Sequence, residues 1–182
     1  MIDFNNKWPY GEQQKKLINN DFTSAIDINL YKSIKHFYYW TLSVYNKSYS
    51  LRINNQLQAG GGVAYIFIDK PNFKIKITDE ILYDFNDVYL ADTTREVFQT
   101  PRNSLGLNIK YYYKTRFSFT SSFFVQNSLQ QRNDVIYKGE ADLKIQLTRL
   151  LSLASKLTYN KINRTERENL FITFGLAFDT YF

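Results

Sequence analysis

The 182-residue chain contains no cysteine, a single histidine and only three prolines. Without cysteine there is no disulfide framework, no thiolate metal site and no cysteine nucleophile. One histidine excludes a three-histidine metal site and leaves His36 as the sole imidazole for acid–base chemistry. No uncharged apolar run approaches the roughly 20 residues of a membrane-crossing helix. The longest, AGGGVAYIFI at 59–68, has ten. The N-terminus, MIDFNNKWPY, lacks the basic and apolar regions of a secretory signal. The expectation is a chain whose signal has been removed or which begins inside a longer protein.

What the chain does have is rings. It holds 15 Tyr, 15 Phe and 2 Trp, yet its mean hydropathy is −0.40. The net charge of +6 comes from dispersed residues, with Lys15 and Lys16 the only adjacent basic pair. No recognition-helix or zinc-finger pattern accompanies them, so a nucleic-acid partner is not expected. The length suits one domain, 1–182.

Period-two alternation runs through most of the chain and predicts β-strands. In 104–114, Leu105, Leu107, Ile109, Tyr111 and Tyr113 alternate with Asn108, Lys110 and Lys114. Phe117, Phe119, Phe123 and Val125 follow against Ser118, Thr120 and Gln126. In 134–148, Val135, Tyr137, Ala141, Leu143 and Ile145 oppose Lys138, Glu140, Asp142 and Lys144. Leu153, Leu157 and Tyr159 oppose Lys156, and the last strand carries Leu170, Ile172, Phe174, Leu176, Phe178 and Phe182. Earlier apolar sets are Phe22, Ile26, Ile28 and Leu30; Tyr38, Trp40, Leu42 and Val44; Leu57 to Phe67; and Phe73 to Phe85. These make nine strands between 21 and 182. Short links near 32–35, 69–72, 114–115 and 148–151 alternate with links near 46–50, 86–103, 129–133 and 161–167. Tight turns on one side and longer loops on the other suit an outer-membrane barrel, which needs an even strand number. Ile2, Phe4, Trp8 and Tyr10 within residues 1–20 supply a tenth strand. The predicted fold is all-β, an antiparallel up-and-down transmembrane β-barrel of about ten strands.

Alternation alone does not say which face points inward, because a soluble barrel would also keep charges off its core. Strands of about 10 residues and rings near strand ends favour lipid on the oily side. Lys110, Lys138, Glu140, Asp142, Lys144 and Lys156 then line the lumen, Glu140 and Asp142 pairing with Lys110 or Lys156. Asp79 breaks the pattern, falling among Ile75, Ile77, Ile81 and Tyr83. A bulge near Thr78–Glu80 that turns it inward or to a rim is expected, the alternative being a carboxylate held for a ligand or ion.

The C-terminal segment RTERENLFITFGLAFDTYF closes an alternating strand on an aromatic residue. It resembles the signal read by the outer-membrane insertion machinery, carried here by Phe174, Leu176, Phe178 and Phe182. NKINRTERENLFITFGL, LRINNQLQAGGGVAYIFIDK and DINLYKSIKHFYY, within a likeness over roughly residues 10–182, resemble the YdiY-like family of salt-induced outer-membrane proteins. Its members typically begin with a signal peptide and further N-terminal strands, which this chain lacks. The resemblance implies a Gram-negative outer-membrane location and a lipid-bilayer partner, and brings no catalytic residues.

Little in the sequence suggests chemistry. His36 lies in KSIKHFYYW beside a short turn, where a structural or solvated residue is expected. Asp84, Asp87 and Asp92 lack an EF-hand pattern. Gly60, Gly61 and Gly62 precede no Lys-Ser/Thr and are expected to allow curvature or close packing rather than hold phosphate. No cofactor or metal is expected. The reading is a non-enzymatic outer-membrane barrel, structural or stress-related or passing a narrow solute. The alternatives are a soluble lipocalin-like barrel with an apolar ligand and a barrel enzyme acting on lipid.

Overall fold

The computed structural model describes residues 2–13, 16–31, 36–90, 94–114 and 116–178. Its strands are β1 (Ile2–Lys7), β2 (Tyr10–Gln13), β3 (Lys16–Tyr31), β4 (Phe37–Ser48), β5 (Ile53–Lys70), β6 (Phe73–Tyr89), β7 (Arg95–Tyr113), β8 (Phe117–Ser128), β9 (Val135–Gln146), β10 (Leu151–Ile162) and β11 (Arg167–Phe178). The described residues contain no helix. Alternating β-branched and aromatic side chains suit a pleated surface that has two different faces.

Every pairing is antiparallel, and each strand from β3 to β11 pairs with its sequence neighbour. β1 also pairs with β3, completing the expected ten-stranded up-and-down path. β2 lies off that path, on the first half of β3. β1 and β2 are in effect one strand interrupted at Trp8–Pro9, where Asp21 N donates to the Pro9 carbonyl at 3.1 Å. No ladder joins β1 to β11 among the described residues, so the sheet forms a half-barrel with a seam.

The sheet nevertheless curls on itself. Gln58 on β5 bonds Gln126 on β8 at 3.0 Å and accepts from Lys138 on β9 at 2.9 Å. Lys7 on β1 pairs with Glu140 on β9. Gly60 and Gly62 sit at the tightest place, where a Cβ would strike the carbonyl oxygens of Ile81 and Asp79 on β6. Their role is close backbone approach, as the sequence suggested. The connections also follow the expected rhythm, with turns at 71–72, at Lys114 and Arg116, and at 147–150 opposite loops at 49–52, 129–134 and 163–166, while 32–35, 91–93 and 115 lie outside the described residues. Arg52, Lys114 and Glu166 adopt positive φ in these links, and each is flanked by a backbone hydrogen bond across the turn.

Three sequence expectations need correction. The segment 86–103 is mostly strand, since β6 runs to Tyr89 and β7 begins at Arg95. Both of its faces mix polar and apolar residues, with Val88 and Phe98 beside Asn86 and Glu96, so alternation fails while the ladder continues. Pro101 fits there because its nitrogen faces the β8 side, where the β7–β8 ladder begins only at Arg102–Ser128. Second, the apolar set Tyr38, Trp40, Leu42 and Val44 faces inward, as Lys76 Nζ lying 5.9 Å from the Tyr38 ring shows. The outer face of β4 carries Phe37, Tyr39, Thr41, Ser43 and Tyr45 instead. Both faces of that strand are partly apolar, so its pattern is ambiguous. Third, the ladder through Thr78–Gly106, Asp79–Leu105 and Glu80–Ser104 is regular, and Asp79 points outward with Ile77 and Ile81. The irregularities of β5–β6 fall at Ile53/Asn55 and Ile66/Ile68.

Candidate functional site

Burial is inverted relative to a water-soluble barrel. On β6 the inward Thr78, Glu80 and Asp84 are buried, while the outward Ile77, Ile81 and Tyr83 are exposed. The same holds on β7, where Arg102 and Ser104 are buried and Leu105 and Leu107 exposed. Exposed rings cluster toward the tight-turn end at Tyr39, Tyr65, Phe67 and Tyr113, and toward the loop end at Phe22, Tyr83 and Tyr89.

The interior is tiered. At the loop end Leu51, Ile53, Val88, Ile136 and Ile162 form a small apolar core. The extra residue at Asn54 makes this possible, because it returns Ile53 to the inward face beside Val88. Next lies an ionic tier. Arg102, 1% exposed, donates Nε to Asp84 and Nη2 to Asp134 Oδ2 at 2.7 Å. Arg164 binds Glu96 through Nε at 2.8 Å, approaches Asp134 at 3.5 Å and stacks 3.7 Å from the Phe98 ring. Gln56, Asn86, Gln58, Gln126 and Lys138 continue the network. Buried charges persist only when paired and hydrogen-bonded, and a planar guanidinium suits two carboxylates.

Deeper toward the tight turns, Thr78, Glu80 and Ser104 are buried. Beyond them lies a vestibule of about 440 Å³ lined by Asp142, Lys144, Lys156, Thr173 and Gly175, among others. At the loop end a cavity of about 10 Å³ lies among Gln56, Arg102, Asp134 and Ile136.

The structure brings several of the anticipated residues together. Glu140 is gripped by Lys7 and lies 3.9 Å from Lys156, which is also 3.6 Å from Asp142. Lys138 is drawn to Gln58, and Lys144 lines the vestibule. Lys110 is separate. It stands opposite Lys74 and Thr120, with β8 between it and Glu140, so Lys156 rather than Lys110 meets the two carboxylates. Phe174, Leu176 and Phe178 share the outer face of β11 with Leu153 and Leu157 of β10, and Phe174 is 75% exposed. Phe182 lies outside the described residues. The ionic tier was missed because Arg102 fell in the supposed long link. Extending the parity of Ser104, Asn108 and Lys110 back by two residues would have found it.

His36 sits in a tight turn with φ of 70°, its carbonyl accepting from Ile66 N at 2.8 Å. Asp84 is committed to Arg102, and Asp87 to Arg95 and Asn54. Asp92 lies outside the described residues. Among the described residues no group of three or more His, Cys, Asp or Glu could hold a metal ion. The arrangement pairs buried charges and packs apolar side chains at the loop end.

No family model matches the chain, and no curated protein matches it. Among solved structures, the chain is similar to a NanC porin in a rhombohedral crystal form, at 8% identity and a TM-score of 0.38, over 88% of this chain and 94% of that one.

Proposed function

We propose that the chain is a β-barrel protein of the Gram-negative outer membrane, non-enzymatic, with a structural or stress-related role and a dead-ended lumen. The observation that carries this reading is the inverted burial: exposed Ile, Leu, Phe and Tyr outside, and a paired ionic interior around Arg102. A lipocalin-like barrel would need the opposite arrangement, since its apolar ligand would here meet Glu80, Arg102 and Lys138. The outward band, flanked by rings at both ends, suits hydrocarbon between two interfaces. The resemblance to YdiY-like proteins points the same way.

Solute passage is disfavoured because the ionic tier and the apolar core fill the loop end. The partners are the lipid bilayer and, through Phe174, Leu176, Phe178 and Phe182, the insertion machinery. The test is refolding. The chain should fold into detergent micelles or phospholipid vesicles, with a mobility difference between boiled and unboiled samples, and should show no sustained conductance in planar bilayers. A folded monomer in plain buffer would overturn the membrane assignment, and steady conductance would overturn the sealed lumen.

A further inference from the structure

Asp79, Asn103 and Asn127 stand on the outer faces of β6, β7 and β8, three successive neighbours in the sheet. Asn103 Nδ2 donates to Asp79 Oδ1 at 2.7 Å, and the register sets Asn103 directly opposite Asn127. The three form a short polar row amid Ile77, Ile81, Leu105 and Val125. Asp79 lies about 15 Å above the ring of Phe73 and about 10 Å below that of Tyr83, taking the rise of a tilted strand. If the oily face meets lipid, as proposed above and as this inference requires, the row sits near mid-depth. A carboxylate and an amide facing hydrocarbon are costly there, and such groups gain by bonding to a neighbouring protein.

We propose that the outer face of β6–β8 docks a second copy of this chain about a two-fold axis along the bilayer normal, passing beside Asn103. The row is self-complementary in that sense. Its Asp79 end accepts hydrogen bonds and its Asn127 end can donate them. A two-fold rotation reverses the row, laying each Asp79 against the other copy's Asn127 and each Asn103 against its counterpart. The two carboxylates then occupy opposite ends, roughly 10 Å apart at ordinary strand spacing, and do not repel closely. Both copies keep the same orientation in the membrane. Ala59 and exposed Gly61 on adjacent β5 leave the flank shallow enough for two barrel walls to approach.

Because the chain has no cysteine, Asn103→Cys introduces a unique thiol. Refolded into phospholipid vesicles, this variant should form a disulfide-linked dimer under mild oxidation. Ile26→Cys, exposed on the outer face of β3 four strands away, should not. The double variant Asp79→Leu, Asn127→Leu should still insert, with dimerisation in detergent weakened by about tenfold. An inserted Asn103→Cys chain that cross-links no faster than Ile26→Cys, or undiminished association of the double variant, would overturn the proposal. Failure of the parent chain to insert, read beforehand by vesicle flotation, would instead strike the membrane assignment and carry this inference down with it.

Discussion

Arg102 Nη2 on β7 meets Asp134 Oδ2 in the β8–β9 loop at 2.7 Å, and neither side chain is more than 3% exposed. The same guanidinium also holds Asp84 on β6, so one cation ties β6 and β7 to the end of the β8–β9 loop. Arg102→Ala would take the only ion-pair partner seen for buried Asp84 among the described residues and leave Asp134 with Arg164 at 3.5 Å. The expected loss is about 3–5 kcal/mol of unfolding free energy, measured by urea titration in detergent. Asp69→Asn, which breaks the half-exposed pair with Lys74, should cost less than about 1 kcal/mol. Similar costs for the two variants would remove the ionic tier from the list of stabilising features.

Glu140 lies between Lys7 and Lys156 on the inner face. Glu140→Lys would collect three cations there and should lower the thermal midpoint more than Arg132→Glu in the exposed 129–134 loop. Because Glu140 is one-third exposed, the lost pairing itself is worth only about 1 kcal/mol, with repulsion added to it. Equal melting of the two variants would argue against a packed lumen.

Gly62→Ala would push a methyl group into the Asp79 carbonyl and the Glu80 backbone, where a flexible side chain cannot yield. The expected cost is about 1–3 kcal/mol. Gly175→Ala on β11 meets nothing within 4 Å and should be nearly neutral. Denaturation midpoints of the two variants in the same detergent make the comparison.

Deleting Phe182 should reduce the amount of barrel assembled in cells, measured as folded protein in the outer-membrane fraction. Refolding of the purified chain into detergent should be unaffected, since the insertion machinery is absent there. A parallel loss in both settings would mean that the residue serves stability rather than recognition.

Much of the wall was legible in the sequence because β8 to β11 and the second half of β7 alternate, so most strands and their antiparallel order followed from parity, and the tenth from the even count of a barrel. Parity could not say which face is inside. Charges such as Lys138 and Glu140 on one face fit either arrangement until burial of Arg102 and exposure of Leu105 decide it. Legibility also failed where both faces have one character. On β4 the rings of Tyr38 and Tyr39 occupy opposite sides, and in the β6–β7 extension polar Asn86, Asp87, Glu96 and Gln99 mingle with apolar Val88 and Phe98. Ile136 and Ile162 could be read only as exceptions on a polar parity, although they build the apolar core.

If the chain sits in a membrane as proposed above, that core of Leu51, Ile53, Val88, Ile136 and Ile162 answers to a different solvent from the wall beneath it. Its cohesion comes from excluding water, and such cohesion fades on cooling and in urea. The wall, facing lipid in that placement, would be held chiefly by ladder hydrogen bonds that hydrocarbon leaves no alternative to. Chilling or mild urea would therefore loosen the cap first, while the transmembrane part stays embedded. Amide hydrogen exchange would register this as early labelling at residues 51–53 and 162–165 ahead of the β7–β8 ladder.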